Sequence, residues 1–323
     1  ISVTMASLGL NEVMNYPFVS DDQMSKLQIS KKDDRNNLVS LANPLSEETP
    51  FLRTTLIPGL FSAAARNIGR GLDDINIFEI GSVFQKKNEN QKVISPKLLS
   101  RPSVSDIAKL DSLLPIQDKK IAVILHGQKY KAGWWPNSQN YTWHDPIELV
   151  KILCQEYSVE VSIANADYAP FHPGRCAEIR IGYEILGYAG EISPSVVEKH
   201  ELTGKYYALE IDLSRLVLNA KTKQAPKFSS MSVVKEDLAF VVDKNVEALA
   251  LIETIQGAIG QVLESVRLFD VYEGGNIGEK KKSLAFNLRL RSSNQTLKTE
   301  EIAEIRQKAI AAVEKNHGGV LRA

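Results

Sequence analysis

Nine residues near the end of the chain, Ser283 to Arg291 (SLAFNLRLR), alternate strictly, with Leu284, Phe286, Leu288 and Leu290 on one side of a strand and Arg289 and Arg291 on the other. A strand divided in this way belongs to a sheet with one buried face and one wet face. The neighbouring segments fit such a sheet. A strand over 232–242 leads into a helix over about 246–263, where Ala248, Ile252, Ile255, Ile259 and Val262 form one apolar stripe. A strand over 265–273 precedes the alternating one. Thr299 then caps a helix with Glu300 and Glu301 in its first turn and Ile302, Ile305, Ala309 and Val313 facing inward. Gly318-Gly319 stops that helix, and Val320 to Ala323 return as a last strand. The order β-α-β-β-α-β is the split arrangement of ferredoxin-like domains, whose helices cover one sheet face and leave the other open to a ligand.

A Lys-, Ser- and Pro-rich segment, 219–230 (NAKTKQAPKFSS), precedes this pattern and marks a boundary between domains at 1–222 and 226–323. In the first domain, Leu56, Leu60, Ala64 and Ile68 recur at helical spacing, Pro58 suits a first turn, and Gly69 and Gly71 supply the stop. This predicts a helix over 57–68. Residues 75–84 (INIFEIGSVF) are almost continuously apolar between charged pairs, as in a strand covered on both faces. Further strands are expected at 121–127, 176–190 (as a hairpin) and 206–213, and a helix at 145–156 capped by Asp145. The polar stretch 86–120 reads as a mobile surface excursion. The fold class is therefore α+β, a mostly antiparallel sheet with helices followed by the ferredoxin-like unit.

Charge and motif content narrow the chemistry. Lys plus Arg and Asp plus Glu both number 39, so no global field marks a polyanion ligand, and any such site must be local. Two distant cysteines, Cys154 and Cys176, make neither a disulfide framework nor a CxxC pair, which suits a reducing cytoplasm. No stretch has the length of a membrane span and no signal peptide is visible; the chain starts with Ile inside an ordered element, as a piece of a longer protein would. The five histidines lack metal-site spacing, and neither a GxSxG elbow nor a P-loop occurs. Gly69-Arg-Gly71 and Gly274-Gly275 with Gly278 do not stand between strand and helix as a phosphate cradle requires. Met24-Ser25-Lys26 matches a synthetase nucleotide loop at three residues only, without the doubly wound fold that goes with it.

One hairpin combines unusual residue types. Lys280, Lys281 and Lys282 run into the strand that carries Arg289 and Arg291, with Glu279 as the nearby acid. Phe269, Asp270 and Tyr272 lie on the preceding strand, and in an unbroken pleat Asp270 and Tyr272 share a face. A ring to stack a base, a carboxylate for its donor edge and cations for phosphates make a platform for single-stranded RNA. Ordinary sheet packing is the competing reading.

The stretches GLNEVMNYPFV (9–19), NPLSEETPFLRTTLIPGLF (43–61), INIFEIGSVF (75–84), FHPGRCAEI (171–179), GYAGEISPSV (187–196) and SVRLFDVYEGGNIGEKKKSLAFNLRLR (265–291) closely resemble, in the same order, the C-terminal portion of bacterial phenylalanyl-tRNA synthetase β subunits. The resemblance implies that residues 1–222 are a catalytically silent copy of the class II synthetase core, packed against the catalytic α subunit in an α2β2 enzyme. It implies that residues 226–323 bind the anticodon of tRNA(Phe), with Tyr272, Asp270 and Ser283 on the base at its first position. ATP and magnesium would serve the complete cytoplasmic enzyme and not this part; the editing module would precede Ile1. Gln85 follows Gly81-Ser82-Val83-Phe84 where the α-subunit pattern has an arginine for the ATP phosphate, and no glycine-rich motif ending in Arg follows. Leu52-Arg53-Thr54 is similar to the family's first motif, with Arg53 read as structural. The chain departs from its relatives at Ser229-Ser230-Met231, where an aromatic followed by proline is usual. Two other readings stand beside this one, a freestanding ATP-dependent enzyme of class II synthetase ancestry and a scaffold without an RNA ligand.

Overall fold

The computed structural model describes residues 1–87, 101–131, 133, 138–225, 229–274, 277–292 and 294–322. The chain divides into two compact units, Ile1–Gln224 and Ala225–Ala323. The first is built on seven strands: β1 (Asn11–Glu12), β2 (Ile75–Gln85), β3 (Ile116–His126), β4 (Ser162–Asn165), β5 (Phe171–Ile181), β6 (Glu184–Ile192) and β7 (Tyr206–Asp212). Their order is β1-β2-β3-β7-β6-β5-β4, antiparallel except for β1 beside β2.

The apolar run in β3 explains why this sheet has a helix on each side. Ile121 through Leu125 are all buried, and alternate residues serve different cores. Ala122 and Ile124 pack with Leu60, Phe61 and Ala64 of helix α1 (Ile57–Ile68), while Ile121, Val123 and Leu125 pack with Val150 and Leu153 of helix α2 (His144–Glu156). This central stretch of β3 therefore has no wet face, which is why residues 121–125 show no polar alternation.

Several sequence-based boundaries change. The stretch 86–120 is not all surface excursion: β3 begins at Ile116, and a helix spans Val104–Leu113 behind a Ser103 cap. Residues 117–120 are polar, yet their backbone pairs in register with Gly81 to Phe84, so hydrogen bonding and not burial extends the strand. Residues 88–100 of that stretch lie outside the described residues. Asp145 lies inside α2 and reaches back, accepting from Thr142 N (2.6 Å) and Lys129 Nζ (2.7 Å). Met24-Ser25-Lys26 ends a short helix, with Met24 in the core and Lys26 paired to Asp22 at 2.8 Å.

In the second unit, β8 (Val234–Asp243), helix α3 (Ala248–Ile259), β9 (Leu263–Tyr272), β10 (Lys281–Leu290), helix α4 (Thr299–His317) and β11 (Val320–Leu321) follow in the expected β-α-β-β-α-β order. The sheet runs β9-β10-β8-β11, all antiparallel. Leu238, Phe240, Leu284, Phe286 and Leu288 meet Leu251, Ile255, Ala309 and Val313 in one core on the helix side. α3 is shorter than expected because Gly260 turns at φ +70°, and fully buried Leu251 belongs to a stripe from which the periodicity omits it. Thr299 is the first helical residue and not the cap; Glu301 instead accepts from Lys298 N at 2.8 Å.

A buried ion pair ties the N-terminal segment to the large sheet. Arg53 Nη1 lies 2.6 Å from Glu79 Oε1, with both side chains almost fully buried, and Arg53 Nε donates to Ser82 O at 3.1 Å. A Cβ at Gly81 would overlap the Arg53 guanidinium, so the glycine lets the arginine cross β2. Glu79 also accepts from Asn15 Nδ2 at 2.7 Å and from Asn15 N at 3.3 Å. Removing one partner of such a pair leaves an uncompensated charge in the interior. Glu79→Ala is expected to lower the unfolding free energy by about 3–5 kcal/mol in urea denaturation; a loss below about 1 kcal/mol would mean that water reaches Arg53.

Candidate nucleic-acid interface and a closed cleft

The open face of the second unit depends on an irregularity in β9. Leu268 pairs with Phe286 on the helix side, and the register then shifts so that Asp270 pairs with Ala285 and Tyr272 with Ser283. In an unbroken pleat, Asp270 and Tyr272 would share Leu268's face and point at the helices. The bulge at Phe269 reverses the alternation and turns both outward. They do share a face, as expected, but that face is open only because the pleat is broken.

Across the sheet, Tyr272, Ser283 and Val241 form one row, and Asp270, Ala285 and Ala239 the next. The last strand adds a residue that the sequence did not single out. Arg322 N donates to Ala239 O at 2.7 Å, and its guanidinium lies 5.0 Å from the Tyr272 ring centroid. Two alanines between them leave the space low enough for this contact. A Cβ at Gly274 would overlap the Tyr272 hydroxyl, so glycine there also leaves room for the ring. Tyr272 is 37% exposed and Ser283 is buried beneath this face. Asp270 makes no side-chain hydrogen bond or ion pair among the described residues. The site thus holds a partly exposed ring, a cation over it, an uncommitted carboxylate and a hydroxyl.

The basic residues do not form one patch. Lys281 pairs with Asp243 in register and shares the open side with Ser283, Lys282 alternates to the helix side, and Lys280 lies in the turn. Arg289 and Arg291 stand at the far end of β10 and converge on Glu264, at 3.5 and 3.3 Å. Arg291 Nη1 also donates to Ser229 O at 2.8 Å, which ties the divergent Ser229-Ser230-Met231 entry to β10. Glu279 is therefore not the acid that matters to these arginines.

The first unit has a polar cleft of about 530 Å³ beside β3, β6 and β7, with Gln85 in its wall. Its cations are Lys32, Arg35, Lys120 and Arg215, against carboxylates at Asp33, Asp34, Asp118, Glu210 and Asp212. Most are paired with one another: Arg35 Nη2 to Asp33 at 2.7 Å, Lys120 to Glu210 at 3.2 Å and Arg215 to Asp212 at 3.3 Å. Arg35 also lies 4.0 Å over the Tyr168 ring, which stacks on Tyr188 at 3.6 Å, so these rings are already partnered. Burial would raise the Glu210 carboxyl. The Lys120 ammonium, Leu56 N–H and Thr55 hydroxyl outweigh it and hold the group below the usual carboxylate range. With Arg35, Lys120 and Arg215 engaged, only Lys32 unpaired among the described residues and carboxylates in the majority, the cleft is poorly suited to a triphosphate. Among the described residues no group of three or more His, Cys, Asp or Glu stands where it could hold a metal ion.

Residues 1–213 match the family described as "Phenylalanyl tRNA synthetase beta chain CLM domain", and residues 229–322 match the "Ferredoxin-fold anticodon binding domain". The chain is 41% identical to the phenylalanine–tRNA ligase β subunit of Thermobifida fusca, over 99% of this chain and 39% of that protein. The β subunits of Streptomyces avermitilis (38% identical, over 98% of this chain and 39% of that one) and Cutibacterium acnes (37%, over 99% and 38%) align similarly. The chain thus spans about 39% of the length of these curated relatives. Among solved structures, pyrrolysyl-tRNA synthetase from Desulfitobacterium hafniense aligns over 67% of each chain at 14% identity with a TM-score of 0.44, below what defines a shared fold.

The Glu210 pair carries a pH dependence. Because the folded carboxyl has the depressed pKa, its contribution is fully present above the unfolded value and is lost as pH falls through the folded one. Urea denaturation between neutral pH and the acid side of the carboxylate range is expected to show a steeper loss for the native chain than for Glu210→Gln. Parallel curves would remove Glu210 as a source of acid sensitivity.

Proposed function

The chain belongs to the phenylalanyl-tRNA synthetase β-chain family, and from that membership we propose that it is the non-catalytic, tRNA-binding part of a phenylalanine–tRNA ligase β subunit. In this reading the complete cytoplasmic enzyme is an α2β2 assembly that joins phenylalanine to tRNA(Phe) with ATP and magnesium. The first unit is an inactive class II synthetase-like core, and the second takes the anticodon.

The observation that carries the reading is the open face of β9 and β10. Tyr272 offers a stacking surface already aligned by Arg322, and Asp270 and Ser283 offer hydrogen-bonding groups to a base edge beside it. A carboxylate accepts from base donors, so it contributes discrimination more than affinity. Lys280 and Lys281 contribute phosphate contacts at the mouth of the hairpin, and Lys282, on the helix side, adds only longer-range charge. Arg289 and Arg291, held by Glu264, have a smaller part.

The cleft supports the silent reading of the first unit. Gln85 supplies no charge, and three of the four cations there are matched by carboxylates, which leaves Lys32 as the one unpaired cation among the described residues for the transition-state charge of nucleotide activation. This also weighs against a freestanding ATP-dependent enzyme. The unit's free surface suits a subunit contact instead. Met14, Tyr16 and Leu45 are 96%, 83% and 88% exposed, and Tyr16 and Leu45 border an apolar hollow of about 540 Å³. Glu79 holds the segment bearing Met14 and Tyr16 through Asn15. Large exposed apolar groups on a rigid segment are the usual material of an obligate interface, here assigned to the α subunit.

Two experiments test these assignments. The chain alone is expected to show no phenylalanine-dependent pyrophosphate exchange; a signal above the buffer blank overturns the silent-core reading. In the α/β enzyme, Tyr272→Ala should weaken tRNA(Phe) binding by roughly 1–3 kcal/mol and leave phenylalanine activation intact. Asp270→Ala should relax base preference at the position it reads. Replacing Lys280, Lys281 and Lys282 should weaken binding to all tRNAs alike and flatten its salt dependence. Normal tRNA(Phe) affinity of a folded Tyr272→Ala enzyme removes the anticodon reading and leaves the scaffold.

A further inference from the structure

The open face reads one nucleotide with Tyr272, yet the strand carrying Tyr272 presents a second ring. Phe269 is 54% exposed, and it is the one exposed phenylalanine among the described residues. It packs against neither the helix-side core nor another described aromatic ring. The bulge accounts for its position, since Phe269 and Asp270 together oppose the single residue Ala285 and the extra residue is left at the sheet border.

Two residues before it on the same strand stands a cation without a partner among the described residues. Arg267 pairs in register with Asn287 on the open side and makes no ion pair among the described residues, whereas Arg289 and Arg291 are both held by Glu264. At about 3.3 Å per residue, Phe269 stands roughly 10 Å along the strand from Tyr272, with Asp270 between them. Leaving a large apolar ring in water is unfavourable unless something covers it. A flat apolar ring next to an unpaired guanidinium matches a nucleotide in particular, because every base has a face to stack and every nucleotide a phosphate to pair.

We propose that Phe269 and Arg267 form a second nucleotide subsite for single-stranded RNA, in which the ring stacks on the base neighbouring the one held by Tyr272 and the guanidinium pairs with an adjoining phosphate. The proposal rests on the open face being the RNA surface. It adds length to the contact and little sequence preference, since stacking tolerates any base.

The test uses the assembled α/β enzyme and tRNA(Phe) carrying 2-aminopurine in the anticodon loop, with affinity measured over a range of salt. Phe269→Ala and Phe269→Leu are expected to weaken binding roughly 5- to 100-fold and to relieve 2-aminopurine quenching at one loop position, while Phe269→Trp restores both. Arg267→Gln should lower the slope of log affinity against log salt by about 1. Tyr272→Ala keeps the two readings apart. If it binds normally, the RNA surface itself is wrong and the subsite falls with it. If it weakens binding while Phe269→Ala and Arg267→Gln match the native enzyme, the subsite alone is overturned. A Phe269→Leu enzyme with native affinity would show that apolar bulk suffices, which overturns stacking. Loss of thermal stability or of α association at unchanged tRNA affinity would assign the ring to a protein contact, which also overturns it.

Discussion

A sheet face in water must be buried or made polar, and this constraint separates the two units. In the first, β3 has no polar side: Ile121 through Leu125 supply one core through their even residues and another through their odd ones. Helices α1 and α2 follow from that demand. With both faces covered, the remaining concavity lies beside β3, β6 and β7, and charged side chains fill it. In the second unit both helices sit on one side, so the other face is free for alanines, polar groups and a stacking ring.

The ion pairs follow the same division. Arg53–Glu79 is dry and directional, and its carboxylate also grips Asn15, so one buried interaction fixes β2 and the segment bearing Met14 and Tyr16. Such a pair gives a unique arrangement more readily than net stability, because desolvation offsets most of the attraction. In the cleft, Lys120–Glu210 and Asp33–Arg35 tie up cations that a bound polyanion would need unpaired. Among the described residues the second unit keeps Asp270 and Arg267 uncommitted at its surface; Glu264 holds Arg289 and Arg291 at the other end of the strand, and Lys244 pairs with Glu273 at 3.0 Å beside Tyr272.

This gives a consistent physical picture for the proposed β-subunit part. Groups that would do chemistry are neutralised by partners within the fold, and groups that would recognise a flexible polymer remain exposed and shallow. A single-stranded ligand suits such a face, since unstacked bases can reach rings and carboxylates that a duplex cannot.

The sequence alone determined the order of elements in the second unit and the sidedness of the main strands. The alternation of Leu284 to Leu290, the helix over 57–68 and the apolar run over 75–84 depend on residue periodicity, which the chain carries locally. Asp270 and Tyr272 were also legible as residue types at a spacing, whereas Ser283 entered only through the resemblance to the family. Tertiary structure decided which way they face. The bulge at Phe269 has no local signature that separates it from an ordinary strand, yet it reverses the alternation and puts Asp270 and Tyr272 outward. Arg322 lies fifty positions from Tyr272 and reaches it only because β11 pairs with β8 and two alanines, Ala239 and Ala285, keep the sheet low between Arg322 and β9. Glu264 changes the meaning of Arg289 and Arg291 in the same way, by a pairing between strands. Periodicity fixes sidedness within an element, but register, bulges and charge partners are properties of two chain segments together, and they form only when the sheet closes.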